Sequence, residues 1–153
     1  MDNDNRVVNE LLVKIFNNIL EIEEATLRNG PLSDLSITEL HTIEAIGMHG
    51  ERTMSDVAQT LEITVGTLTT AINKLIKKEY VVRKRTAEDR RVVLVSLTKK
   101  GKLACSLHEK FHNEMINETV FQLTEQKKKV LISSLERINK FFKKKKELQN
   151  KER

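Results

Sequence analysis

Thr53-Met54-Ser55-Asp56-Val57-Ala58-Gln59-Thr60-Leu61-Glu62-Ile63-Thr64-Val65-Gly66-Thr67-Leu68-Thr69-Thr70-Ala71-Ile72-Asn73-Lys74-Leu75 is the stretch whose reading decides the fold. Met54, Val57, Ala58 and Leu61 recur at helical spacing, and Val65, Leu68, Ala71, Ile72 and Leu75 do so again. Only Glu62-Ile63 separates the two runs, and Thr64 stands where a helix cap is needed. Two short helices joined by a tight turn, the second with a polar outer side, form a helix-turn-helix.

Downstream, the pattern changes. Val81-Val82-Arg83-Lys84-Arg85 and Val92-Val93-Leu94-Val95-Ser96-Leu97 are β-branched runs of strand length. The charged tip Thr86-Ala87-Glu88-Asp89-Arg90-Arg91 lies between them, which predicts a hairpin with a basic wing. Upstream, Val8, Leu11, Leu12, Ile15, Phe16, Ile19, Leu20 and Ile22 make the apolar stripe of a helix that stops near Arg28-Asn29-Gly30-Pro31. Ser36-Ile37-Thr38-Glu39 reads as a capping box for a second helix, which buries Ile37, Leu40, Ile43 and Ile46 and closes at Gly47 and Gly50.

Thr98 caps a long helix with Leu103, Leu107, Phe111 and Met115 at four-residue spacing. Thr124 opens a last one with Val130, Leu131, Leu135, Ile138, Phe141 and Phe142. The expected fold is mainly α with a small β-hairpin wing, a winged helix-turn-helix. Residues 1–153 form one domain, with a DNA-binding part at about 36–100, outer helices at 1–30 and 101–146, and a frayed tail at 147–153. The outer helices carry apolar stripes that need a surface to pack on. A second copy related by a two-fold axis supplies it, so a homodimer is expected.

Charge is distributed unevenly. Residues 1–63 hold 4 basic and 12 acidic side chains, a net of −8, whereas residues 64–102 hold 11 basic and 3 acidic, a net of +8. A basic block on folded structure is the footprint of a polyanion partner. Aromatic residues make up only 4%, which argues against a single-strand binder built on stacked rings. No apolar run approaches the ~20 residues of a membrane span. The acidic start Met1-Asp2-Asn3-Asp4 is unlike a secretory signal, and one cysteine cannot form an intrachain disulfide. A cytoplasmic protein without a membrane partner is expected.

A recognition helix offers short polar side chains to base edges in the major groove. Thr64, Gly66, Thr67, Thr69, Thr70 and Asn73 suit that task, with Ser55, Lys74 and Lys84 completing the set. No arginine on this helix can fork onto guanine, so an A·T-rich inverted repeat is expected. At the wing, Arg90 and Arg91 suit a narrow minor groove, and Asp89 is expected to orient one of them by a paired hydrogen bond.

Leu61-Glu62-Ile63-Thr64-Val65-Gly66-Thr67-Leu68-Thr69, then Asp89-Arg90-Arg91 leading to Val95-Ser96-Leu97-Thr98-Lys99-Lys100-Gly101, resembles the MarR family of winged-helix regulators. Within the family the chain is most similar to the repressors of fatty acid synthesis, through Ile15-Phe16-Asn17-Asn18, Ile22-Glu23-Glu24, His41-Thr42-Ile43 and Glu88-Asp89-Arg90-Arg91-Val92-Val93. The resemblance implies a dimer, repression at an inverted repeat before lipid-synthesis genes, no required cofactor, and long-chain acyl-acyl carrier protein as corepressor. An acyl chain would need an apolar tunnel, for which Ile19, Ile22, Ile43, Ile46, Leu103, Leu107 and Phe111 are the candidates. Arg28, Arg52, Lys102 and Lys110 are the candidate docking cations for the acidic carrier.

Rival chemistry is present. His108-Glu109-Lys110-Phe111-His112 matches the zinc-protease pattern H-E-x-x-H, but no further histidine or acidic cluster downstream supplies a third ligand. No enzyme is expected. A regulatory zinc is the stronger rival, because Glu24, His41, His108 and His112 sit at positions similar to the metal site of zinc-sensing members of the family. Cys105 reads as a small core residue rather than a thiol switch. The Lys143-Lys144-Lys145-Lys146 run reads as a solvated helix end. A protein-interaction module on a winged fold is the remaining alternative, against which the wing arginines and the threonine-rich helix speak.

Overall fold

In a computed structural model, which describes residues 2–151, Asp2 caps a first helix, α1, over Asn3–Asn29. Its carboxylate accepts the Asn5 amide at 2.8 Å. Only Glu23 and Leu27 of α1 are buried, and the helix ends at Gly30. The capping box forms as its spacing predicts: Ser36 Oγ accepts from the Glu39 amide at 3.2 Å, and Glu39 Oε2 accepts from the Ser36 amide at 3.0 Å. It opens α2, Ile37–Ile46, which stops at Gly47 with φ +82°, a left-handed value that favours glycine.

A two-residue strand, β1, at Arg52–Thr53 precedes α3, Met54–Leu61. Thr53 is also the cap of α3. Glu62 turns the chain in the left-handed region at φ 54°, Thr64 caps α4, Val65–Lys77, and the helix-turn-helix is complete. Strands β2, Val81–Arg85, and β3, Val93–Leu97, form the wing. The sheet is antiparallel in the order β1-β3-β2, with Arg83 opposite Val95 on one side and Arg52 opposite Val95 on the other. Helices α5, Lys99–Thr119, and α6, Glu125–Lys151, follow.

The described chain divides into two compact units at His108, inside α5, where the sequence reads as one domain. The core of the first unit is built from Leu40, Ile43 and Ile46 of α2, Val57 of α3, Leu68, Ile72 and Leu75 of α4, and Tyr80, Val81 and Val95 of the wing base. Each such Leu or Ile removed from water contributes roughly 1.5–3 kcal/mol. Ala104 and Cys105 of α5 close this core, and Cys105 is the small buried residue the sequence suggests. Val65 departs from expectation: as the first residue of α4 it lies at the helix end and is 45% exposed.

In the second unit Thr124 caps α6 by accepting the Lys127 amide at 3.3 Å. No residue of α6 is buried, although Val130, Ile132, Leu135, Phe141 and Phe142 all lie on it. The helix runs on through Lys151, where a frayed tail from residue 147 is the sequence expectation. Residues 152 and 153 of that tail lie outside the described residues.

Candidate nucleic-acid interface

Burial fixes the roll of α4. Leu68, Ile72 and Leu75 are fully buried on one side, so the 3.6-residue period turns Gly66, Thr70, Asn73, Lys74 and Lys77 outward, and all five are exposed. Thr64 Oγ1 accepts the Thr67 amide at 3.1 Å, and the two threonine hydroxyls lie 2.9 Å apart. Thr69 Oγ1 donates to the Val65 carbonyl at 2.8 Å, and Thr70 Oγ1 to that of Gly66 at 3.5 Å. A hydroxyl whose hydrogen is committed to its own helix offers lone pairs and a methyl group outward. Such a surface can accept from base amino groups and pack on thymine methyls. Ser55 is exposed near the start of α3.

The wing tip holds its own shape. Thr86 Oγ1 donates to the Asp89 carbonyl at 2.6 Å and accepts the Asp89 amide at 3.1 Å. The Thr86 amide reaches the Val92 carbonyl at 3.1 Å. Asp89 Oδ1 accepts the backbone amide of Arg91 at 2.9 Å, which corrects the expected pairing with a guanidinium. An aspartate two residues before an amide closes an Asx turn, so Asp89 shapes the tip through the main chain. The side chains of Arg90 and Arg91 are exposed, and Arg85 Nη1 donates to the Arg90 carbonyl at 3.3 Å.

Three side chains tie the sheet to its surroundings. Lys84 pairs with Glu51 at 2.5 Å, Arg83 Nη1 donates to Asn73 Oδ1 at 3.0 Å, and Arg52 spans α2 and α3. The Arg52 guanidinium donates to the Ala45 carbonyl, to the Asp56 carbonyl at 3.3 Å and to Thr60 Oγ1 at 3.0 Å. That engagement corrects its expected role as a docking cation. Arg83 and Arg85 are absent from the sequence-derived set. Strand alternation was the available signal, since it places both on one face of β2 and Lys84 on the other.

The base of the wing is anchored by charge. Tyr80 is fully buried and its hydroxyl donates to Asp34 Oδ1 at 2.7 Å. Lys100 lies 4.2 Å over the Tyr80 ring and 3.5 Å from Asp34 Oδ2, while Lys78 pairs with Glu39 at 2.7 Å. Burial pushes the Asp34 and Glu39 carboxyls up, but hydrogen bonds from Tyr80 and Lys78 and the lysine charges outweigh it and hold both below their ordinary values. Burial and Asp34 together raise the Tyr80 phenol well above its usual range.

A histidine centre lies elsewhere in the first unit. His108 Nε2 donates to Glu23 Oε1 at 2.7 Å, and its Nδ1 to Glu44 Oε1. A neutral imidazole carries one ring hydrogen and a protonated one carries two, so a carboxyl partner on each ring nitrogen favours the charged ring. Burial opposes that charge, but the hydrogen bonds and charges of Glu44 and Glu23 outweigh it and raise the His108 pKa. His41 Nε2 stands 3.7 Å from Glu23 Oε2. Ligand atoms of Glu23, His41 and His108 all lie within 4.8 Å of one another. The carboxylate of this group is Glu23 rather than the expected Glu24. Adjacent helical residues point roughly 100° apart, so Glu24 is exposed. His112 is half-buried in the second unit.

The candidate acyl-pocket residues differ in setting. Ile43 and Ile46 are fully buried core, Ile19 is half-buried, and Ile22, Leu103 and Leu107 are exposed. Phe111 is half-buried in the second unit. Arg28, Lys102 and Lys110 are exposed.

Residues 33–92, from just before α2 through the wing tip, match the model of the MarR family. The structure of Streptococcus pneumoniae FabT in complex with DNA is 41% identical, superposes with a TM-score of 0.81, and covers 92% of this chain and 98% of its own. The transcriptional regulator SarZ of Staphylococcus aureus is 31% identical over 67% of this chain and 68% of its own. The transcriptional regulator PchR of Bacillus subtilis is 29% identical over 52% of this chain, which spans about half of PchR, 47%. SarZ and PchR are described as regulators of transcription, and FabT is seen bound to DNA.

Proposed function

The chain belongs to the MarR family, and from that premise we propose that it is a sequence-specific repressor that binds double-stranded DNA as a homodimer. The observation that carries the reading is the pairing of an outward polar face on α4 with an exposed, internally braced Arg90-Arg91 tip. A helix face fits the major groove and an arginine tip the minor groove beside it. The apolar residues left exposed on α1 and α6, among them Leu11, Phe16, Leu135 and Phe142, support dimerisation through the outer helices. The target is an A·T-rich inverted repeat with half-sites one turn of DNA apart, roughly 34–36 Å.

The finer reading is repression of fatty acid synthesis genes with long-chain acyl-acyl carrier protein as corepressor. Its support is the likeness to FabT along almost the whole chain. Exposed Ile22, Leu103 and Leu107 offer apolar surface to a chain, and exposed Arg28, Lys102 and Lys110 offer charge to an acidic carrier. Operator titration with acylated carrier protein, with unacylated carrier protein and with neither tests it. A coupling of ~1–3 kcal/mol tightens operator binding about 5- to 150-fold in the acylated arm alone. Three superimposed curves would remove the acyl ligand and leave the DNA-binding dimer.

A second reading is favoured by the histidine centre: a zinc-responsive regulator. One carboxylate and two imidazoles suit zinc and leave a fourth position open. The metal would have to displace Glu23 or Glu44 from His108, since both now hold it. Zinc that tightens operator binding by the wild type, but not by His41→Ala with His108→Ala, selects this reading. Zinc without effect leaves the centre a structural bridge.

A further inference from the structure

We propose that Arg83 is a positioning residue for base recognition, holding the Asn73 carboxamide so that Asn73 meets DNA as a hydrogen-bond donor; the inference rests on the DNA-binding reading above. Asn73 lies on the outward face of α4 and Arg83 on the neighbouring strand β2, and Arg83 Nη1 donates to Asn73 Oδ1 at 3.0 Å. A guanidinium has five donors and no acceptor, so only the amide oxygen can face it. The amide nitrogen, with two hydrogens, is thereby turned away from the wing. The bond crosses between two elements whose relative position is fixed by the core beneath them, through Leu75 of α4 and Val81 of β2.

This orientation changes what Asn73 can read. An asparagine recognises adenine by using both ends of its amide, donating to N7 and accepting from N6. With the oxygen turned to Arg83, the two donors face the groove and meet a base edge made only of acceptors. Guanine, with N7 and O6, presents that edge, whereas adenine sets its own N6 donor against the amide. The Asn73-Arg83 pair therefore selects guanine over adenine at one base pair of an otherwise A·T-rich site. Asparagine without such a partner points instead to adenine.

The test begins with the duplex that the wild type selects from a randomised pool, followed by variants carrying each base at every position. The wild type should favour guanine over adenine at the position that Asn73→Ala makes indifferent, by about 5- to 10-fold. Arg83→Met keeps the stem and removes the donors, so the amide is free to turn and the preference at that position should move toward adenine. In the Asn73→Ala background Arg83→Met should leave base preference unchanged. Both side chains are exposed, so the variants should unfold at the wild-type temperature, which a thermal melt checks. Equal weakening of all duplexes by Arg83→Met would make Arg83 a plain phosphate-binding cation and overturn the proposal. So would a wild-type preference for adenine at the Asn73 position. A wild type that selects no sequence at all would instead defeat the DNA-binding reading, and this inference with it.

Discussion

Gly101 packs against the carbonyl of Tyr80 so closely that an added Cβ would stand 2.2 Å from that oxygen and 3.2 Å from the Leu97 Cβ. The obstacle is backbone, which cannot swing aside as a side chain does. Gly101→Ala must push the start of α5 off the wing base. Overpacking of this kind costs about 1–3 kcal/mol, against the ~1 kcal/mol that alanine gains over glycine in a helix. Net destabilisation is expected, with the midpoint falling by roughly 2–4 °C per kcal/mol in a chain of this size. A thermal melt at or above the wild-type midpoint would mean that the packing there is not tight.

Acid should loosen the same region. Asp34 and Glu39 are held below their ordinary values of 3.8 and 4.5, so each contributes stability that is fully present above those values. The contribution is lost as pH falls through the folded-state values beneath them. Lys78→Met removes the partner that holds Glu39 down, so its pH profile should be flatter than the wild type's below pH 4.5. Parallel profiles for the two proteins would show that the pair carries no linkage.

Operator binding should depend on the wing in a salt-sensitive way. Arg90→Ala and Arg91→Ala should each weaken binding. For every phosphate no longer neutralised, the slope of log K against log salt should become shallower by about 0.9. Asp89→Ala leaves both arginines but releases the Arg91 amide, and should weaken binding by disordering the tip. Binding to a random duplex as tight as to the operator at moderate salt would sink the claim of specificity.

The outer helices make a separate prediction. Leu11 and Phe16 are 52% and 64% exposed on α1. Changing both to glutamate leaves the core intact and places charge on the surface offered to a second copy. Sedimentation should report a dimer for the wild type and a monomer for the double variant. A double variant that stays dimeric would place the interface elsewhere.

Features encoded within a few residues were the legible ones. The Ser36-Glu39 box, the Thr64 cap and the wing between Arg85 and Val93 are all local, and the structure forms each of them. Strand β1 was not legible, because two residues set no period and Arg52-Thr53 is a strand only where β3 lies beside it. Glu23 and Glu24 are chemically alike, and the choice between them is made by His108, 85 residues away. Arg52 looked like a surface cation, yet backbone carbonyls of α2 and α3 converge on it. Long-range partners decided what local pattern could not.

The order β1-β3-β2 leaves the sheet with two open margins. One is β1, too short at two residues to template another strand. The other is β2, whose Val81-Val82-Arg83-Lys84-Arg85 ends in three consecutive cations. Unpaired strand margins invite edge-to-edge aggregation, and adjacent positive charges resist it by repelling an identical margin on a neighbouring molecule. These three cations should therefore also keep a crowded solution of this protein from fibrous association. Replacing Lys84 and Arg85 by uncharged β-formers should therefore erode colloidal stability as well as DNA affinity.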